Sequence, residues 1–294
     1  MTSPGPGSAT DAPVCYRHPQ RQTYVSCQRC GRPICPECQT VAPVGVQCPE
    51  CVREGGATVK AGRGPGILRA LRPSGRPVVT FTLIGLCIVL YIAQVASGNA
   101  VTRAWVLDPS VIASQPWRLL TSVFLHGSPI HLLFNMYVLF AIGPTLESFL
   151  GRARYLALYL ISGLGGSVAM VLLFQITILT TTSGPIYVTS ALGASGAIFG
   201  VIGAVFVLRK VLGVQTMQLL IYLGINLAIG FFVPGIAWEA HIGGLAVGAA
   251  IAAVYLFTRR RELRTRQITA VVGIAVSLAA IVIACVAALP NYYS

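Results

Sequence analysis

The sequence predicts an all-α polytopic membrane protein preceded by a small metal-stabilised domain. Three observations carry this prediction. The 294 residues are 55% hydrophobic and only 10% charged, with a mean hydropathy of +0.74, and so little charge cannot cover the surface of a soluble domain of this size. Apolar stretches near the length of about 20 residues that crosses a bilayer recur from residue 77 onward. Seven of the nine cysteines fall between residues 15 and 51, in a segment as polar as the remainder is apolar.

Residues 1–14 are polar and contain Pro, Gly and Ser. They are expected to be disordered and lack the apolar core of a secretory signal. Residues 15–55 carry Cys15-x2-His18, Cys27-x2-Cys30, Cys35-x2-Cys38 and Cys48-x2-Cys51. A two-residue gap lets both side chains of a pair reach one metal, and zinc takes four thiolate or imidazole ligands, so eight ligands suit two structural Zn2+ ions. No ligand position is left open for catalysis. A disulfide framework would need an oxidising compartment, and an odd cysteine count together with His18 fits it poorly. So short a segment has almost no apolar core, and metal is expected to hold it folded. The spacing alone allows sequential or interleaved pairing. The segment resembles the small B-box-like zinc domains that precede some bacterial membrane proteins. That resemblance implies interleaving, with Cys15, His18, Cys35 and Cys38 on one ion and Cys27, Cys30, Cys48 and Cys51 on the other. A docking or regulatory role with a protein partner is expected of such a module. Residues 56–76, GATVKAGRGPGILRALRPSGR, read as a basic, Gly-containing linker.

Residues 77–258 are expected to form a six-helix core, with spans near 77–96, 130–150, 154–175, 194–209, 215–233 and 241–258. A basic loop and a seventh span, 268–289, complete residues 259–294. Ten of the 21 Lys and Arg precede residue 77. Arg152 and Arg154 follow span two, Arg209 and Lys210 follow span four, and Arg259, Arg260, Arg261, Arg264 and Arg266 follow span six. The connections 176–193 and 234–240 carry none, and 97–129 carries only Arg103 and Arg118. The positive-inside rule then puts the N-terminus in the cytoplasm and the C-terminus outside, in a multi-pass protein of the plasma membrane. The cytoplasm is also where thiolates stay reduced for zinc. The net charge of +13 is thus explained by topology and anionic lipid, and no nucleic-acid partner is expected. Cys87 and Cys285 lie in spans and read as small hydrophobes.

Ionisable groups within spans are costly and point to function. His131 and Asn135 open span two, Ser195 opens span four and His241 opens span six. These spans run in one direction, so their outer ends deliver a hydroxyl, imidazoles and an amide to one depth. Ser195 is read as a nucleophile and His241 as its base, then acid. The Ser195 N–H, His131 and Asn135 would donate to the oxyanion. With no carboxylate in a span at this level, a dyad is indicated. Phe199, four residues after Ser195, would pack against the His241 ring. A Gly-Ala-Ser-Gly run in a membrane helix is, by itself, more often close packing. Gly196–Gly200 and Gly244–Gly248 have that spacing, and close packing is also what would bring Ser195 to His241.

Three motifs together resemble the rhomboid family of intramembrane serine proteases. PWRLLTSVFLHGSPIHLLFN contains Trp117-Arg118 and His126-x4-His131-x3-Asn135, GASG spans Gly193 to Gly196, and AHIGGLAVG contains His241, Gly244 and Gly248. The resemblance covers residues 77 to about 258. It implies a rhomboid-like six-helix core plus one helix, and cleavage of transmembrane helices near the external face by the Ser195–His241 dyad, without a catalytic cofactor. It assigns Trp117 and Arg118 to a structural loop lying partly in the membrane, and span five to a lateral gate. Some relatives have tyrosine where this chain has Phe199. A catalytically inactive rhomboid-like protein that binds transmembrane helices is the main alternative. A metal or haem transporter using His126, His131 and His241 is disfavoured, because no Met, Cys or acidic partner lines the spans.

Overall fold

A computed structural model describes residues 13–41, 45–53, 76–181, 190–213, 217, 221, 223–224 and 237–288. The chain divides into two compact units, Met1–Pro65 and Gly66–Ser294.

In the first unit β1 (Val14–Cys15) pairs antiparallel with β2 (His18–Gln22), and β3 (Thr40–Val41) with β4 (Val46–Gln47). A 3-10 turn, Pro36–Cys38, lies between the hairpins in sequence. Its buried cluster is six cysteines and Ile34, with Tyr16 and Val46 against it. So little apolar area cannot offset the entropy of ordering the chain. The cysteines occupy the place of a core.

The second unit is helical. Its elements are α1 (Val78–Ala96), α2 (Ala100–Trp105), α3 (Arg118–Thr121), α4 (Pro129–Leu150), α5 (Arg152–Thr180), α6 (Ser195–Leu212), α7 (Trp238–Phe257) and α8 (Arg264–Ala288). Among the described residues, six of these are long and apolar enough to cross a membrane: α1, α4, α5, α6, α7 and α8. The expected fifth span, 215–233, lies largely outside the described residues, as do the expected disordered N-terminus and most of the linker. The α5 helix runs to Thr180, past the expected 175. Thr177 and Thr180 return their hydroxyls to the Leu173 and Ile176 carbonyls at 2.9 and 2.8 Å, so these polar side chains do not break the helix.

The starts of two helices follow from their caps. Ser128 accepts from the His131 N–H at 3.1 Å, with Pro129 in the first turn, an arrangement that suits a helix N-terminus. The N-terminus of α1 is closed by a carboxylate from α4. Glu147, 3% exposed, accepts from the Val79 and Thr80 N–H groups at 2.9 and 2.8 Å and from the Thr80 hydroxyl at 2.7 Å. A buried anion is tolerated there because the first-turn amides lack intrahelical partners and the helix dipole favours negative charge.

Glycines determine how α5, α6 and α7 pack. A Cβ on Gly244 would collide with the Gly196 carbonyl, and one on Gly248 with the Gly200 carbonyl. On the other side of α7, a Cβ on Gly243 would lie 2.5 Å from the Gly165 oxygen. Backbone approach of this kind is how membrane helices associate when lipid is as apolar as their side chains. The connection before α4 is also anchored. Buried Arg118 donates to the Val106 carbonyl at 2.8 Å and to Gln115 at 2.6 Å, and Ser167 of α5 donates to the Leu119 carbonyl at 2.7 Å. Leu107 and Ala191 exchange backbone hydrogen bonds at 3.0 Å, tying that connection to the residues that lead into α6. Trp117 is half exposed.

Candidate active site

Ser195 is the first residue of α6 and is half-buried. Its N–H is one of the amides that an α-helix leaves without an intrahelical partner, and Ala194 at the N-cap supplies no side-chain acceptor. His241 sits in the first turn of α7, buried. The neighbours of these two residues touch: a Cβ on Gly196 would lie 3.3 Å from the Ala240 oxygen. The Phe199 ring stacks on the His241 ring, with centroids 4.2 Å apart and planes at 8°. The His241 Nδ1 is buried and has no hydrogen-bond partner among the described residues. Among the described residues, this imidazole is stacked on a ring and no carboxylate bonds its Nδ1.

Gly193 shapes the space beside Ser195. Its φ is +139°, where only glycine is at ease. A Cβ there would lie 2.7 Å from His131 Cε1, 2.9 Å from His131 Nε2 and 3.7 Å from Ser195 Oγ. The missing side chain therefore lets the His131 ring come close to the turn beside the Ser195 hydroxyl. The Gly193 N–H donates to the Ser122 carbonyl at 3.0 Å and fixes this backbone turn. On the far side of the ring, the Gly127 N–H donates to His131 Nδ1 at 3.4 Å. A neutral imidazole accepting at Nδ1 carries its proton on Nε2, the nitrogen that faces Gly193. Asn135, one turn along α4, uses one amide hydrogen on the His131 carbonyl at 2.9 Å, and the other has no partner among the described residues.

His126 is buried against His131, with ring centroids 5.2 Å apart and edge on to face. Neither of its ring nitrogens has a partner among the described residues. Its backbone is held by Gln94 of α1, which accepts from the His126 N–H at 3.0 Å and donates to the His126 carbonyl at 3.2 Å. Sequence reasoning passed over Gln94. A lone amide in an apolar span was the available signal, but nothing in sequence pairs it with a residue 32 positions away.

Residues 113–259 match the Rhomboid domain. The chain belongs to the rhomboid family. Among similar rhomboid proteins, "Rhomboid protease GluP" of Bacillus subtilis (strain 168) is 30% identical over 220 residues, covering 71% of this chain and 41% of that protein. "RHOMBOID-like protein 4" of Arabidopsis thaliana is 37% identical over 155 residues, covering 50% of this chain and 36% of that protein. "Rhomboid protease AarA" of Providencia stuartii is 28% identical over 208 residues, covering 62% and 74% respectively. The chain thus spans less than half the length of the first two. Six membrane-length helices in a rhomboid chain make it a multi-pass membrane protein.

The first unit brings its eight expected ligands into two interleaved groups, Cys15, His18, Cys35 and Cys38, and Cys27, Cys30, Cys48 and Cys51. Within each, the ligand atoms all lie within 4.8 Å of one another. His18 Nδ1 is 3.8, 3.3 and 3.4 Å from the sulfurs of Cys15, Cys35 and Cys38, and the Cys30 and Cys48 sulfurs are 3.8 Å apart. A zinc tetrahedron with bonds near 2.3 Å to sulfur and 2.0 Å to nitrogen has edges of about 3.8 Å (S···S) and about 3.6 Å (S···N), so both groups fit a metal ion. Arg32 donates to Cys30 Sγ at 3.3 Å and Arg29 to the Cys51 carbonyl at 2.9 Å, cations that would offset the excess negative charge of a four-thiolate site. Burial opposes ionisation of Cys15 and Cys27, but backbone N–H donors, from Cys35 and Cys48 foremost, outweigh it and bring both thiols down to about 6. Burial and neighbouring thiols push Cys38 up to about 11.

Proposed function

We propose that this rhomboid protein is a serine endopeptidase that cleaves transmembrane helices of membrane proteins within the bilayer. Ser195 Oγ would attack the scissile carbonyl carbon while a neutral ring nitrogen of His241 takes its proton. The tetrahedral oxyanion would be held by the Ser195 N–H, His131 Nε2–H and the free Asn135 amide hydrogen. Collapse breaks the C–N bond as His241 gives the proton to the leaving amine. Water, activated by the same imidazole, then releases the acyl group from Ser195. The observation that carries this reading is the close approach, around Gly193, of a serine hydroxyl at a helix N-terminus and an imidazole ring. The relatives named as rhomboid proteases support the reaction class.

The first unit is proposed to hold two structural zinc ions in closed tetrahedral sites, with a docking role toward a protein partner. The basic connections support a cytoplasmic N-terminus in the plasma membrane. Protection of residues 15–55 from external protease in intact cells, and their cleavage after lysis, checks that orientation.

The decisive test uses purified full-length protein and a transmembrane peptide with small residues near one end. Cleavage is expected to fall by about 10⁴-fold or more in Ser195→Ala and in His241→Ala. A fluorophosphonate should label wild-type Ser195 and fail to label it in His241→Ala. Cleavage that persists in either variant overturns the dyad, and tight peptide binding without cleavage by wild type favours an inactive helix-binding protein.

A further inference from the structure

The end of the helical unit opposite Ser195 holds a cavity of about 250 Å3 that the proposed chemistry does not use. It forms where α4, α6 and α7 end and α5 begins. Leu208 and Tyr255 make its buried floor, while Phe149 and Val211, 38% and 45% exposed, open it to the outside of the bundle. Arg154 and Arg259 complete the wall.

The two arginines are held by aromatic rings. The Arg154 guanidinium lies 6.0 Å from the Tyr255 ring centroid and that of Arg259 lies 5.4 Å from the Phe149 ring centroid. The Tyr255 hydroxyl donates to the Arg154 carbonyl at 3.2 Å, which ties α7 to the start of α5 at this point. A guanidinium over a ring face keeps N–H donors free for an anion. Among the described residues, neither arginine is paired with a carboxylate. Glu147, the acid of the adjoining α4 turn, is committed to the α1 N-terminus. Arg152, Arg209, Lys210 and Arg260 add positive charge at the same ends of these helices.

We propose that this cavity is a binding site for one anionic phospholipid. Its phosphate diester would sit between Arg154 and Arg259, and the first methylenes of an acyl chain would cover Val211 and Phe149. A basic pocket between helix ends, at the depth where they leave the hydrocarbon, has the charge and position for a lipid head group. The apolar floor distinguishes a lipid from a free anion, which would surrender hydration there without compensation. The proposal is independent of the protease reading.

The test is native mass spectrometry of the full chain in mild detergent, with phosphatidylglycerol or phosphatidylcholine of matched acyl chains. Wild type should retain phosphatidylglycerol over phosphatidylcholine by about 25-fold, given about fivefold for each of the two arginines near an anionic head group. Arg154→Gln/Arg259→Gln should abolish the preference. Arg264→Gln/Arg266→Gln, an equal loss of charge at residues that do not line the cavity, should keep it. Val211→Trp, which fills the mouth and leaves every charge in place, should also lower phosphatidylglycerol retention, and it decides the matter if the double arginine variant does not fold. Equal losses in the two arginine pairs would indicate only a general surface attraction and overturn the site. Retention untouched by Val211→Trp would do the same. Displacement of the lipid by equimolar soluble glycerophosphoglycerol would assign the cavity to free anions and overturn the lipid proposal.

Discussion

Gly193 has less latitude than any other residue of the candidate site. Its φ of +139° excludes side chains by conformation, and the closeness of the His131 ring excludes them by volume. Gly193→Ala should therefore displace His131 or the turn that aims the Ser195 N–H. We expect kcat to fall by about 10²- to 10³-fold, the usual cost of losing one oxyanion donor, with KM changed far less. A kcat within threefold of wild type would show that His131 and the Ser195 N–H do not hold the oxyanion. Ser195, His241 and Asn135 are legible in the sequence as candidates, because polar groups are rare in apolar spans. The sequence could not announce the tautomer of His131. That depends on the Gly127 N–H, a backbone group with no signature in residue type.

At the scale of helices, α7 is packed through glycine on two faces. The Gly244-x3-Gly248 spacing was readable as a contact in advance, since such spacing puts bare backbone on one side of a helix. Its partner on the other face, α5 at Gly165 and Gly166, was not, because a glycine tells that something comes close without telling what. Gly248→Val should drive methyl groups into the Gly200 carbonyl and cost about 1–3 kcal/mol or more. Gly273→Val on α8, where a Cβ meets nothing within 4 Å, should stay within about 0.5 kcal/mol of wild type. Thermal unfolding in detergent, followed by far-ultraviolet circular dichroism, reads both. Equal melting of the two variants would remove the glycine contacts from the account of the fold.

For the whole molecule, composition separated the cysteine-rich segment from the apolar spans, and the alternation of basic connections ordered the spans. Polar contacts between distant segments were beyond it: Glu147 reaches residues 67 and 68 positions away to close α1, a pairing that no local pattern encodes. The two units are expected to respond differently to acid and to chelators. Cys15 and Cys27, with folded values near 6 below the ordinary thiol range, contribute stability that is fully present above that range and lost as pH falls through about 6. Protons compete with metal for the same sulfurs. Zinc release, followed with a chromogenic chelator, should therefore rise as pH is lowered from about 8 to about 5. The helical signal of Gly66–Ser294 should persist through that titration. Metal retained fully at pH 5 would contradict thiolate ligation.

The Ala240 carbonyl has one more implication. It lies where a Cβ on Gly166 would come within 2.8 Å and a Cβ on Gly196 within 3.3 Å, so the residue beside His241 is gripped by α5 and α6 at once. A helix held in this way cannot swing aside for an arriving polypeptide without parting two backbone-to-backbone seams. In the proposed reaction the base would therefore keep its place, and any opening for a substrate would fall to parts of the wall other than α7.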